Sequence, residues 1–261
     1  MTGYIAALFQ HPIKGFTPQK VARAYLTSGA AFPGDRLFAV EDGPSGFDPE
    51  NPAWISKQRF AVLAKVADVA RARTHYDEAS GRLTVTAPGM ADFDGRLDED
   101  GRRAFAEWLT VLLGRSAAGP LRVVVGAGHR FLDHPKGHVS IVNLASLRDF
   151  AQRLGQPVDP LRFRANLHVD GWPVWAENDW TGRDLRIGSE LTIRIVCRTP
   201  RCAIPTLEHG DLPRDVAALR VPAAHNRVSP LDDWGPQPCA GVYAQVLRPG
   251  RVEVGDVARL A

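Results

Sequence analysis

The chain has 261 residues, 44% hydrophobic and 23% charged, with a formal net charge of +3 at pH 7. That balance suits a globular protein with a sizeable core, is too weakly basic for a nucleic-acid partner, and includes no apolar run of the roughly 18 residues a membrane helix needs. Three cysteines are too few, and odd in number, for a disulfide framework; with no basic-then-apolar leader at the start, a cytoplasmic setting is expected.

Short β-type runs separated by Gly and Pro turns dominate the first half. Residues 4–11, 21–26 and 37–41 read as strands, with a tight turn at Gly34-Asp35. Between 60 and 76 two periods compete. Leu63, Val66, Ala67 and Ala70 fit a helical stripe, but the hairpin signal at 77–81 ahead of 82–87 favours a strand, which is the prediction. Phe105, Trp108, Leu109, Leu112 and Leu113 then share one face of an amphipathic helix stopped by Gly114. The Ala117-Ala118-Gly119-Pro120 stretch resets the chain and divides it into lobes 1–117 and 118–261.

In the second half, 121–125 starts a new strand, and 140–143 leads into a helix with Leu147, Phe150, Ala151 and Leu154 on one face, ended by Gly155. Residues 165–169, 185–187 and 191–196 read as strands. The predicted close is a hairpin of 241–247 with 252–254 around Arg248-Pro249-Gly250. Before it, 208–238 is rich in Pro, Asp and Arg, and a loop of that length is expected to shape a binding pocket. The expected class is mainly β with accessory helices (α+β), barrel-like in architecture.

The stretch 195–206 carries the chemistry. It places Cys197 and Cys202 in an arginine-flanked turn, with Pro200 and Pro205 bracketing Cys202. Cysteine reacts or binds metal as the thiolate, a form that neighbouring guanidinium charges favour, and thiolate sulfur suits a soft metal. Two rival chemistries find little support. Cys197, Cys202, His209 and Cys239 lack a zinc-site spacing, and a hydrolase pairing of Cys202 with His209 or His225 arises readily among eight histidines. His129, His134 and His138 are expected to be exposed loop residues, with Pro135 and Gly137 opposing a helix there.

A resemblance then spans nearly the whole chain in order. His11-Pro12-Ile13-Lys14-Gly15, Gly34-Asp35-Arg36, Ile55-Ser56-Lys57-Gln58-Arg59, Phe163-Arg164-Ala165-Asn166, Glu177-Asn178-Asp179-Trp180, Arg201-Cys202, Gly241-Val242-Tyr243 and Gly255-Asp256 resemble motifs of the MOSC family. The likeness is to its two-lobed form, which includes bacterial relatives of the mitochondrial amidoxime-reducing component. It implies an N-terminal MOSC β-barrel-like lobe at 1–117 and an MOSC β-barrel at 118–261. It also implies a molybdenum cofactor (molybdopterin) between them. Cys202 would be the catalytic residue and metal ligand. Lys14, Arg36 and Arg164 would answer the pterin phosphate, and Ser140, Asn143 and Asn166 the pterin edge. The implied activity is two-electron oxo-transfer reduction of a small N-hydroxylated substrate. Electrons would come from a separate ferredoxin, flavodoxin or cytochrome-type protein, because no fused iron–sulfur domain is present. The alternatives are a non-redox carrier of persulfide sulfur or cofactor at Cys202, and a barrel that binds a partner alone. Gly15 departs from the family's serine and Ala165 from its proline. Four residues separate Cys197 from Cys202 where two are common, so Cys197 is expected to be structural. Cys239 is expected to be a core thiol.

Overall fold

The computed structural model describes residues 2–133 and 139–261. The chain runs through β1 (Thr2–Gln10), β2 (Gln19–Val21), β3 (Arg23–Leu26), β4 (Ala39–Asp42), β5 (Arg73–Asp77), β6 (Arg82–Thr86), β7 (Phe93–Arg96) and α1 (Glu99–Leu113). There follow β8 (Leu121–Val124), β9 (Val139–Asn143), α2 (Leu144–Leu154), β10 (Leu167–Asp170), β11 (Asp184–Ile187) and β12 (Leu191–Pro200). The last elements are α3 (Arg220–His225), β13 (Arg227–Val228), β14 (Gln237–Arg248), β15 (Gly250–Glu253) and β16 (Val257–Leu260).

Seven strands form a closed barrel in the order β10-β9-β14-β12-β11-β16-β1, with β1 pairing back onto β10. Alternate residues of each strand face inward, as period-2 patterning demands. Ile193 and Ile195 of β12, Val242, Ala244 and Val246 of β14, and Leu185 and Ile187 of β11 share one buried cluster with Trp172 and Trp180. Each such aliphatic side chain contributes about 1.5–3 kcal/mol by leaving water. β9 and β10 are the one parallel pair in this ring, and α2 supplies the crossover that a parallel pair requires. Asn143 caps α2 by accepting a hydrogen bond from the Ala145 N–H at 3.1 Å, and Gly155 ends it in the left-handed conformation at φ 67°.

Closure crosses the expected division at 117/118. β1 comes from the first half, yet Tyr4 pairs with Asp170 and Thr2 with Arg259. β3 likewise pairs with β15, and β4 with β8. The first half keeps a second core of its own beneath α1 and the β5-β6-β7 meander, built on Phe16, Phe38, Leu83, Phe105 and Leu109.

Three expectations are corrected. Between 60 and 76 only Arg73–Asp77 is a strand; ahead of it Ala67–Arg71 forms a single 3-10 turn with Val69 and Ala70 buried. The helical stripe is not realised, since Leu63 and Val66 lie ahead of the turn and Ala67 is exposed. The closing hairpin is absent. β14 stays on β12 as far as Arg248, opposite Thr192, and β15 leaves to pair with β3. Pro249 alone stands between the two strands, one residue short of the two-residue turn that would fold them together. His129 is half-buried against Phe47 and Phe131 rather than exposed. His134, Pro135, Gly137 and His138 lie outside the described residues.

Candidate functional site

The site forms where β12 ends. Its ladder with β14 slips between Arg198 and Pro200, and the Arg201 N–H is held by the Pro238 carbonyl at 2.8 Å. A 3-10 turn, Ile204–Thr206, follows directly, with Pro205 in its first positions, where a missing N–H costs nothing. Cys202 is left exposed between these two features. It lines a cavity of about 250 Å3, together with Arg36, Lys57, Arg162, Arg164 and Arg201, one carboxylate (Asp133), and Ser140, Thr199 and Tyr243. A smaller cavity of about 30 Å3 shares Arg36, Lys57, Asp133 and Arg164 with it and adds Lys14, Gly15 and Val62.

Arg36 and Arg164 both adopt left-handed backbone conformations, at φ 48° and φ 51°. Such strain in non-glycine residues persists only where the surroundings fix it. The Arg36 N–H donates to the His11 carbonyl at 2.7 Å, and its guanidinium pairs with the Asp35 carboxylate. Asp35 is itself buried and accepts from the His11 N–H at 2.7 Å and from Asn166 Nδ2 at 2.8 Å. Burial opposes its charge, but the Arg36 guanidinium and the His11 hydrogen bond prevail, and its pKa is lowered from the usual carboxylate value. Arg164 Nη1 donates to the Phe16 carbonyl at 2.8 Å and lies 2.8 Å from His209 Nε2. Burial first, and the Arg36 charge second, press the Arg164 pKa downward. A pocket with this excess of cationic groups favours an anion.

Cys202, Arg36, Ser140 and Arg164 therefore meet at one cavity. Lys14 faces the smaller one, but its ammonium is already engaged by the Phe131 carbonyl at 2.8 Å and Asp133 at 2.7 Å. Asn166 sits behind Ser140, whose hydroxyl donates to Asn166 Oδ1 at 2.8 Å; its amide group reaches Asp35 and the Phe9 carbonyl. It aligns other site residues and is not part of the cavity wall. Asn143 is placed elsewhere. Besides capping α2, its amide nitrogen donates to the Pro173 carbonyl and to Glu177, each at 2.9 Å. Gly15 stands at φ 85°, and a Cβ there would lie 2.7 Å from Val62 Cα, which is why no serine is accommodated.

Cys239 is buried, and burial pushes its thiol up to about 11; burial also raises Cys197. No group of three or more His, Cys, Asp and Glu is placed to hold a metal among the described residues. The expected pocket-shaping loop at 208–238 supplies none of the described cavity wall; it acts from behind, through His209. Sequence reasoning missed Arg162, Thr199, Tyr243 and the support from His209. Arg162 stands two residues before the recognised Arg164, and Thr199 three before Cys202, so proximity to those motifs was the available signal. His209 was weighed only beside the cysteines, and nothing in the sequence pointed to Arg164 as its partner.

Two family models match: the MOSC N-terminal beta barrel domain over residues 2–117 and the MOSC domain over 128–259. The human mitochondrial amidoxime-reducing component 1 is 28% identical over 184 residues, covering 61% of this chain and 52% of that protein. The mouse protein of the same name is 28% identical over 122 residues, 44% of this chain and 34% of its own. The chain thus spans about half the length of the human relative it matches, and less of the mouse one. Among solved structures, the YUAD protein from Bacillus subtilis gives a TM-score of 0.47 at 14% identity over 100% of this chain and 96% of that one. YiiM from Geobacillus stearothermophilus gives 0.34 at 19% identity, covering 54% and 67% respectively.

Proposed function

The chain belongs to the MOSC family, joining an MOSC N-terminal β-barrel domain to an MOSC domain, and from that premise we propose that it holds a molybdenum cofactor and reduces N-hydroxylated small molecules by two-electron oxo transfer. The observation that carries this reading is the exposed Cys202 thiol on a cavity lined by four arginine residues. The donor set fits the group. A thiolate is the soft ligand molybdenum prefers, and arginine forks match phosphate. Arg201 Nη2 and Thr199 Oγ1, both on cavity-lining residues, are buried with no hydrogen-bond partner among the described residues, donors that a bound anion would satisfy.

When bound, the cofactor would supply reversible two-electron oxo-transfer chemistry. The protein's own part is to hold and orient. Cys202 would provide the sulfur ligand to the metal. Arg36 and Arg164 would hold the phosphate, each charged contact being worth about 1.5–3 kcal/mol. Ser140, whose proton is donated to Asn166, would offer its hydroxyl oxygen to the pterin edge. Lys14 and Asp133 neutralise each other and fix the wall between the two cavities. Reducing equivalents come from a separate electron-donor protein.

Metal analysis of the purified chain, pterin fluorescence after oxidation, and an amidoxime-reduction assay with an artificial electron donor test the proposal. Stoichiometric molybdenum with activity that Cys202→Ser abolishes supports it. A persulfide on Cys202 without molybdenum replaces it with the sulfur carrier, and the absence of both replaces it with a partner-binding barrel.

A further inference from the structure

Arg162 lines the cavity, yet its guanidinium is directed at the backbone that follows Cys202. Nη1 donates to the carbonyls of Pro205 and Leu207 at 3.4 and 3.3 Å, and Nη2 to that of Pro213 at 2.7 Å. Those three carbonyls bracket a tight loop. The His209 N–H donates to the Leu212 carbonyl at 2.9 Å and the Leu212 N–H returns to His209 at 3.0 Å, with Gly210 between them at φ 58°. The far side of the loop is fastened to the first half of the chain, by the Gly210 N–H on the Ala70 carbonyl at 2.9 Å and by an Asp211–Arg73 ion pair.

From this loop His209, only 5% exposed, comes back to the site, with Nε2 at 2.8 Å from Arg164 Nη1. A guanidinium has donors and no acceptor, so Nε2 must accept. The ring is therefore neutral and carries its proton on Nδ1. Burial first, and the Arg164 charge second, push the His209 pKa down to about 3, which agrees with that assignment. Arg164 Nη1 thus has two acceptors, His209 and the Phe16 carbonyl, leaving its other N–H groups for the cavities it lines.

We propose that His209 is a positioning residue for the anion end of the site, holding the Arg164 guanidinium by accepting a hydrogen bond from it. The proposal rests on the reading above, in which Arg164 answers the phosphate of the cofactor. In effect one arginine of the 162–164 segment secures the loop, and the loop in turn secures the other.

The test uses the full chain produced in cells that cannot make the pterin, with inorganic phosphate as probe and two readouts. Long-range proton–nitrogen NMR of the His209 ring is expected to show the proton on Nδ1. Phosphate titration is expected to weaken about tenfold in His209→Leu, equivalent to about 1.4 kcal/mol, and to stay near the parent value in His209→Gln, which restores an acceptor. A proton on Nε2, equal affinities in the two variants, or no phosphate binding by the parent chain overturns the proposal. If His209→Leu does not fold, the ring tautomer and the Gln variant decide. Intact phosphate binding here, together with no molybdenum in the chain purified from cells that do make the pterin, would instead remove the cofactor reading and leave this one standing.

Discussion

At the residue scale, two cysteines have opposite fates. Cys202 is exposed and Cys239 is fully buried among barrel residues. Cys202→Ser is expected to change unfolding free energy by no more than about 0.5 kcal/mol in urea titration, as surface substitutions do. Cys239→Ser replaces a fully buried thiol that reaches the Val228 carbonyl at 3.5 Å with a shorter, more polar hydroxyl and is expected to cost about 1–3 kcal/mol; the reverse order would contradict the placement of both. Gly15→Ser restores the residue the family resemblance leads one to expect. At φ 85° and against Val62, it is expected to destabilise by about 1–3 kcal/mol in the same assay. Cys202, Arg36 and Arg164, which the structure gathers at one cavity, each stood in a short motif; Ser140, at the same cavity, stood in none and came only with the family resemblance. Asn143 was misread as a ligand-facing residue, although an asparagine just before an amphipathic helix is also a cap signal. His209 was illegible because its role depends on a partner 45 residues away in sequence.

At the element scale, β1 decides the architecture. Its residues complete a barrel otherwise built by strands from the second half, with β10 and β16 paired to it. A chain of residues 118–261 alone would leave both of those strands with unpaired edges, and exposed edges invite aggregation. Such a fragment is expected to show no cooperative thermal transition by circular dichroism, whereas the full chain shows one; a cooperative melt of the fragment would refute the dependence on β1. Helices α1 and α2 were legible from apolar periodicity and their glycine stops. The strand partners were not. Alternation tells which face of a strand is buried, but it says nothing about which strand lies beside it, which is why β15 was assigned to β14 when it pairs with β3.

At the scale of the whole molecule, charge is withheld from three interior imidazoles. Burial lowers His11 and His209 to about 3, with neighbouring arginine charge adding to it, and burial alone lowers His168 to about 4. Each is neutral in the folded state and free to protonate near 6.5 once unfolded. The unfolded chain therefore binds more protons between these values, so stability falls as pH drops from about 6.5 toward 4. Together they are expected to give a slope near pH 5 of about 4 kcal/mol per pH unit, read from urea midpoints across a pH series. A flat profile there would mean that all three rings are charged in the native protein, and a slope reduced by about a third that one of them is. The pairing of Thr2 with Arg259 also bears on folding. Within this sequence β1 must wait for β16 before the ring can shut, so folding is governed by very distant contacts and is expected to be slow.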